Sequence, residues 1–291
     1  MAALAGAFAA LAVATPVRPF FDQEAASGRI LAAFERSGYL ETEEGQLVAV
    51  LAEPLGRGAF ALTVRGTPPL DTLHPDDRVV IQDRILTLGS VRVDLGTASP
   101  WDPTLPPLLG GADDGMRLLE SDLRAGALAE GLSRLLSEAD GSDPLVARGR
   151  QALDRLRTGL RRGDPAAITA GAADLAGLGP GLTPSGDDVL AGMLLALRLW
   201  PDVAGPLGVG VASTLIVGTA ALRTGRISRA YLWAARQGHA AEAWHDLVRA
   251  LPADPAGIRA AAARILQTGE TSGADMLAGF VAVWEIAGAW E

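Results

Sequence analysis

Gly177-Leu-Gly-Pro-Gly-Leu-Thr-Pro-Ser-Gly-Asp-Asp188 runs directly into the apolar stretch Val189–Trp200. Glycine and proline at this density break regular structure, and the run that follows is long enough for a buried helix. The pattern predicts a tight loop feeding a helix N-terminus, where unpaired N–H groups and the positive end of the helix dipole collect. Such places receive small anions.

Outward from this loop the two halves of the chain read differently. Beyond residue 112 the pattern is helical: Met116–Glu138, Pro144–Arg161, Pro165–Ala176, Asp187–Trp200, Val209–Leu222, Ser228–Gln237, Ala241–Leu251, Pro255–Gln267 and Ala274–Trp290. Earlier, Gln46–Leu51, Ala59–Val64, Val79–Ile81 and Ile85–Leu88 are short β-rich runs between turn residues, and Val91–Leu95 alternates apolar with polar. Ala25–Leu40 reads as a leading helix. Residues 97–111 hold four prolines and predict a connection between domains, with Trp101 packed at the junction. The expected class is α+β. A small antiparallel β domain, a sheet or barrel over roughly residues 40–96, spans 1–100 with its leading helix, and a larger, mainly α-helical domain spans 112–291.

The loop has an echo. Ser185-Gly-Asp-Asp-Val-Leu-Ala-Gly192 recurs as Ser272-Gly-Ala-Asp-Met-Leu-Ala-Gly279. In each copy Ser-x-x-Asp before an apolar run has the form of a capping box, which predicts Ser185 with Asp188 and Ser272 with Asp275 at two helix starts. Gly192 and Gly279 each cost about 1 kcal/mol of helix propensity, so a close crossing of the two helices is expected to compensate. Capping needs neither the long loop nor a second aspartate. Gly177, Gly179, Gly181, Thr183 and Asp187 are the surplus that points to function.

Composition narrows the chemistry. With 291 residues and 49% of them hydrophobic, the chain can bury a large core. The net charge of −9, with no basic run, argues against nucleic acid. All 25 basic residues are arginines, and there is no lysine, asparagine or cysteine. That removes Schiff-base, Walker-lysine and thiol chemistry, and three histidines make a multi-histidine metal site improbable. Met1–Val17 lacks the basic start of a secretion signal. Val203–Leu222 is uncharged for twenty residues but carries Pro206 and four glycines, which fits a buried helix better than a membrane span. The expected protein is soluble and cytoplasmic.

The loop would hold a phosphate, carbamoyl phosphate or carboxylate through backbone amides, assisted by Gly186 and the Thr183 and Ser185 hydroxyls. Asp187 and Asp188 are the candidate catalytic acids. Either they hold Mg²⁺ against phosphate oxygens, or Asp187 takes a substrate N–H or a guanidinium. Arg223 is the candidate cation, against the plainer reading of an arginine at a helix C-terminus. Ser228 reads as the cap of the next helix.

At Gly177–Gly192 the chain resembles the AllH-like subunit family of oxamate carbamoyltransferase. The likeness continues through Thr224–Ser228, His245-Asp-Leu and Ser272-Gly-x-Asp-x-Leu-x-Gly279, and more loosely through Gly28-Arg-Ile, Phe34-Glu-Arg and Trp101-Asp-Pro. The family's Ser-Val-Phe and Asn-Leu features are replaced here. The resemblance implies a role in allantoin-type purine nitrogen catabolism. There a three-protein assembly interconverts oxalurate plus phosphate with oxamate plus carbamoyl phosphate. It also implies partner subunits. The candidate substrate-binding set, read from the residues themselves, is Gly177, Gly179, Gly181, Thr183, Ser185, Gly186, Arg223, Ser228, Ser272 and Asp275. A noncatalytic assembly subunit and a magnesium-dependent kinase or hydrolase are the alternatives.

Overall fold

The computed structural model describes residues 6–125, 131–136 and 143–288. It divides into two compact units, Met1–Thr104 with Ala240–Glu242, and Leu105–His239 with Ala243–Glu291.

The first unit is a closed barrel of mixed strands, not the small antiparallel domain expected. Its strands are β1 (Phe8–Ala14), β2 (Ala25–Ala33), β3 (Ser37–Thr42), β4 (Leu47–Ala52), β5 (Ala61–Val64), β6 (Arg78–Gln82), β7 (Ile85–Leu88), β8 (Val91–Asp94) and β9 (Ser99–Trp101); α1 (Arg18–Phe21) is a single turn. The order β5-β4-β3-β2-β6-β7-β8-β1 closes where β1 pairs back onto β5, with Ala12 opposite Thr63 and Val13 opposite Leu62. Eight strands complete the ring. The pairs β1–β8, β1–β9 and β4–β5 are parallel and the others antiparallel. Closure leaves the ring no free edge.

Two local readings fail for one reason. The alanine-rich segments Phe8–Ala14 and Ala25–Ala33 read as signal-like or helical, yet both are strands. Alanine favours helix by a few tenths of a kcal/mol over most residues. Ladder pairing on both sides, as β2 makes with β3 and β6, outweighs that preference. Gly28 shows why the pairing is tight, since a Cβ there would overlap the Glu41 carbonyl. The proline-rich stretch is also reassigned. Residues Ser99–Trp101 pair with β1, and the Arg57 guanidinium lies 4.4 Å over the Trp101 ring, inside the first unit. Between β6 and β7, Asp83 and Arg84 both take left-handed backbone, the form a two-residue hairpin turn needs.

The second unit is helical: α2 (Asp113–Ala125), α3 (Pro144–Arg162), α4 (Pro165–Leu175), α5 (Ser185–Leu199), α6 (Val209–Ala220), α7 (Arg226–Arg236), α8 (Glu242–Ala250), α9 (Pro255–Leu266) and α10 (Ser272–Gly288). The single helix expected over Met116–Glu138 is instead α2 and a short 3-10 turn, Leu132–Leu136; residues 126–130 and 137–142 lie outside the description. Asp143, Asp164 and Asp254 each cap a helix whose first residue is proline, which fixes three helix starts. The uncharged run Val203–Leu222 breaks at Gly208 into a 3-10 segment, Pro201–Leu207, and α6. Among the described residues no single helix is long and apolar enough to cross a membrane.

At the centre α5 and α10 cross, buried nearly all round. A Cβ on Gly192 would overlap the Met276 carbonyl oxygen, and one on Gly279 the Val189 carbonyl oxygen. Phe280 stacks edge-on to Trp200, with ring centroids 5.5 Å apart, and packs on Trp244 at 5.2 Å. The two helices are pseudo-equivalent in their surroundings too. Gly186 lies against the Leu175 carbonyl ending α4, as Gly273 lies against the Ile265 carbonyl in the last turn of α9.

Candidate functional site

The loop between α4 and α5 is built from glycines that no other residue replaces cheaply. Gly177, Gly179 and Gly181 have φ of 72°, 113° and 95°. Asp187, in the first turn of α5, reaches back and pins the loop's start. Its Oδ1 accepts the Gly177 N–H at 2.9 Å and its Oδ2 accepts the Thr224 hydroxyl. The far end is held by Ser228, buried in α7, whose hydroxyl donates to the Leu182 carbonyl at 3.3 Å. Ser228 is therefore a clasp on the loop, not a cap; α7 starts at Arg226 with no side-chain cap.

Backbone bonds absorb the amides of Leu178, Gly186, Asp187 and Asp188. Those of Gly179, Gly181, Leu182, Thr183 and Ser185 have no partner among the described residues. Gly181 and Leu182 are exposed, so this cluster of donors opens to solvent at the head of α5. Arg223, whose backbone carbonyl lies against Gly177, is exposed, and its guanidinium has no partner among the described residues.

No side chain caps α5, so the box predicted at Ser185 and Asp188 does not form. The glycine crossing brings the two helix heads together, so that Ser272 and Thr183 act on Asp188 and Ser185 acts on Asp275, each favouring the charged carboxylate. Thr183 Oγ1 and Ser272 Oγ lie 3.0 Å apart. The Ser133 N–H donates to Asp275 at 2.7 Å, and Gly131 packs directly against that carboxylate. Asp188 and Asp275 are 5% and 0% exposed, and Oδ2 of each is buried without a hydrogen-bond partner.

Burial pushes Asp188 well above the usual carboxylate range, and the charges of Asp275 and Asp187 push the same way against bonds from Ser272 and Thr183. Asp275 is raised by burial, opposed by donors from Ser185, Thr271, Ser133 and Leu132. The neighbours Asp187 and Asp188 thus serve different partners, the first the loop and the second the opposite helix. Among the described residues no group of three or more His, Cys, Asp or Glu side chains is placed to hold a metal.

Thr183, Ser185, Ser272, Asp188 and Asp275 come together at the helix heads. Gly177, Gly179, Gly181, Gly186, Asp187 and Ser228 shape the loop beside them. Sequence reasoning missed Thr224, Thr271, Gly131 and Ser133. A longer repeat carried part of the signal: Asp164-Pro-Ala-x-Ile168 precedes one copy and Asp254-Pro-Ala-x-Ile258 the other. Replacing Asp187 with alanine is expected to free both anchors of the loop. Amide exchange at Gly177, whose N–H Asp187 accepts, should then quicken by about 10- to 100-fold, the worth of a lost charge-assisted bond, with helix content unchanged.

The helical unit thus carries a loop with unpaired amides beside two buried carboxylates at the heads of two crossed helices. The family model described as oxamate carbamoyltransferase subunit AllH matches residues 175–284, so over that span the chain is similar to this family. The match begins at the end of α4 and runs through most of α10, so it contains the loop, both carboxylates and the glycine crossing. No solved structure matches the chain.

Proposed function

We propose that this chain is a cytoplasmic subunit of a carbamoyltransferase acting on oxamate or oxalurate and carbamoyl phosphate in purine (allantoin) nitrogen catabolism. The loop Gly177–Asp188 receives the phosphate or carboxylate, and other subunits of the complex are its partners; nucleic acid and membrane are not. The observation that carries the reading is the set of five unpaired amides, Gly179 to Ser185, at the head of α5. Preset donors of that kind bind an oxyanion without reorganising, which is how they stabilise charge in acyl transfer. Arg223 adds a full charge in reach of the solvent side.

Arg223→Ala is expected to weaken oxamate binding about 10- to 100-fold, the equivalent of one charge-assisted hydrogen bond. Calorimetric titration of the full chain measures it, and unchanged affinity removes Arg223 from the site.

One observation favours the assembly reading. On uncharged α6, Val211 is half exposed, and Leu222 just beyond it is 87% exposed, an apolar surface suited to a partner. Asp187→Asn separates the two readings. If the loop is a site, turnover of the reconstituted complex collapses while the complex stays assembled. Full turnover would leave only the scaffold role.

A further inference from the structure

Between Asp202 and Glu242 the chain holds four arginines and no acid, although its net charge is −9. Much of this segment lies on α6 and α7, which pack side by side. Arg236 joins the two helices on their exposed side. Its guanidinium donates to Thr214 Oγ1 of α6 at 2.9 Å and lies 5.2 Å over the Trp233 ring of α7. Val211, Thr214 and Gly218 recur at helical spacing along the exposed side of α6, and Leu222 extends that line just past the helix end. Val211, Leu222 and Trp233 are 50%, 87% and 41% exposed. The Gly177–Asp188 loop adjoins α7 through the Ser228 hydroxyl on the Leu182 carbonyl.

This face carries the marks of a surface that another protein covers. Gly210 and Gly218 cost helix stability, yet a Cβ on either meets nothing within 4 Å, so no packing inside this chain compensates for them. Among the described residues no carboxylate pairs with Arg223, Arg229 or Arg236, whereas Arg155, Arg259 and Arg264 each pair with one on other helices. An exposed tryptophan beside arginine, with apolar neighbours, has the composition of interface hot spots. Arg236 is already held on two sides, so contact with a partner orders it at little further cost.

We propose that the α6–α7 face docks an acidic surface of another subunit of the complex, with Leu222 and Trp233 as apolar anchors and Arg229 and Arg236 meeting its carboxylates. The inference rests on the subunit reading above and adds to it the docking face and the partner's charge. Charge complementarity selects the occupant. A second copy joined symmetrically through this face would set the same arginines against one another, a like-charge contact. A bilayer surface takes helices with a continuous face of large apolar residues, and the exposed line on α6 is interrupted by Thr214 and Gly218.

The test titrates the full chain with the other subunits of the carbamoyltransferase complex and follows assembly by light scattering. Leu222→Asp and Trp233→Ala are each expected to weaken assembly by at least about tenfold, the effect of losing an interface anchor. Arg229→Glu should weaken it as much, and wild-type affinity should fall as sodium chloride rises from about 0.05 to 0.5 M. Leu222 and Arg229 are exposed, so neither substitution should lower the melting temperature of the chain alone. Unchanged assembly in Leu222→Asp or in Arg229→Glu overturns the docking face and leaves the subunit reading standing. Self-association of the wild-type chain that Leu222→Asp abolishes overturns it in favour of a second copy. Binding to phosphatidylserine vesicles that Leu222→Asp abolishes overturns it in favour of a bilayer. No complex between the wild-type chain and the other subunits defeats the subunit reading, and the docking face with it.

Discussion

Gly192→Ala is expected to lower the stability of the helical unit by at least about 3 kcal/mol, beyond the ordinary range for overpacking a core. Local reasoning alone predicts the opposite sign. Alanine in place of glycine inside a helix gains about 1 kcal/mol of propensity. The crossing decides the outcome, because the added Cβ would overlap the Met276 carbonyl, and backbone on a packed partner helix cannot yield as a side-chain tip can. Gly279→Ala should behave alike, against the Val189 carbonyl. At roughly 2–4 °C per kcal/mol for a unit of this size, the melting temperature drops by more than about 6 °C. Gly210→Ala and Gly218→Ala on α6 are the internal control. A Cβ there meets nothing within 4 Å, so both should stabilise by about 0.5–1 kcal/mol. Thermal unfolding of the four variants measures all of this. Equal behaviour of the α5 and α6 substitutions would mean that the helices do not cross as described.

Asp188→Asn is expected to stabilise the protein at pH 8 and to change little at pH 4. The sign follows from the raised pKa. Asp188 binds its proton more tightly in the folded chain than in the unfolded one, so the folded state is favoured by protonation. That contribution is complete below the unfolded value near 4, and it is lost as pH rises through the folded value. Above that window wild type carries a desolvated charge that Asp275 repels, and asparagine carries none while keeping the shape. Relief of a buried, incompletely paired acceptor is worth about 1–3 kcal/mol. Asp275→Asn should give less, since Ser185, Thr271 and the amides of Ser133 and Leu132 already stabilise its charged form. Melting curves from about pH 4 to 9 test the difference. A variant no more stable than wild type at pH 8 would show that the pair is not held as described.

Much of the helical unit was legible because its punctuation is local. Asp-Pro starts helices α3, α4 and α9 wherever it falls in this half, and an aspartate cap with proline at the first position acts within a few residues. The paired glycines were legible for a related reason: a residue that costs helix stability in two matched copies must be compensated by a partner. The loop itself announced three left-handed positions through three glycines.

The first two strands, the mixed closure of the barrel and the acid pair were not legible, and the cause is shared. Strands β1 and β2 are alanine-rich, and only pairing partners far along the chain, Val64 to Phe8–Ala14 and Gln82 to Ala25, make them strands. In the same way Ser185 and Asp188 have the spacing of a capping box, yet no side chain caps α5. The outcome was set at the crossing, where Gly192 and Gly279 let two backbones approach and bring Asp188 and Asp275 together in the interior. What the sequence alone determined was the set of interactions that span one helical turn or one loop: helix starts, the glycine loop and its unpaired amides. Tertiary structure decided barrel closure, the meeting of the two helix heads and the burial that raises Asp188 above the usual carboxylate range, because each depends on groups that only long-range packing brings together.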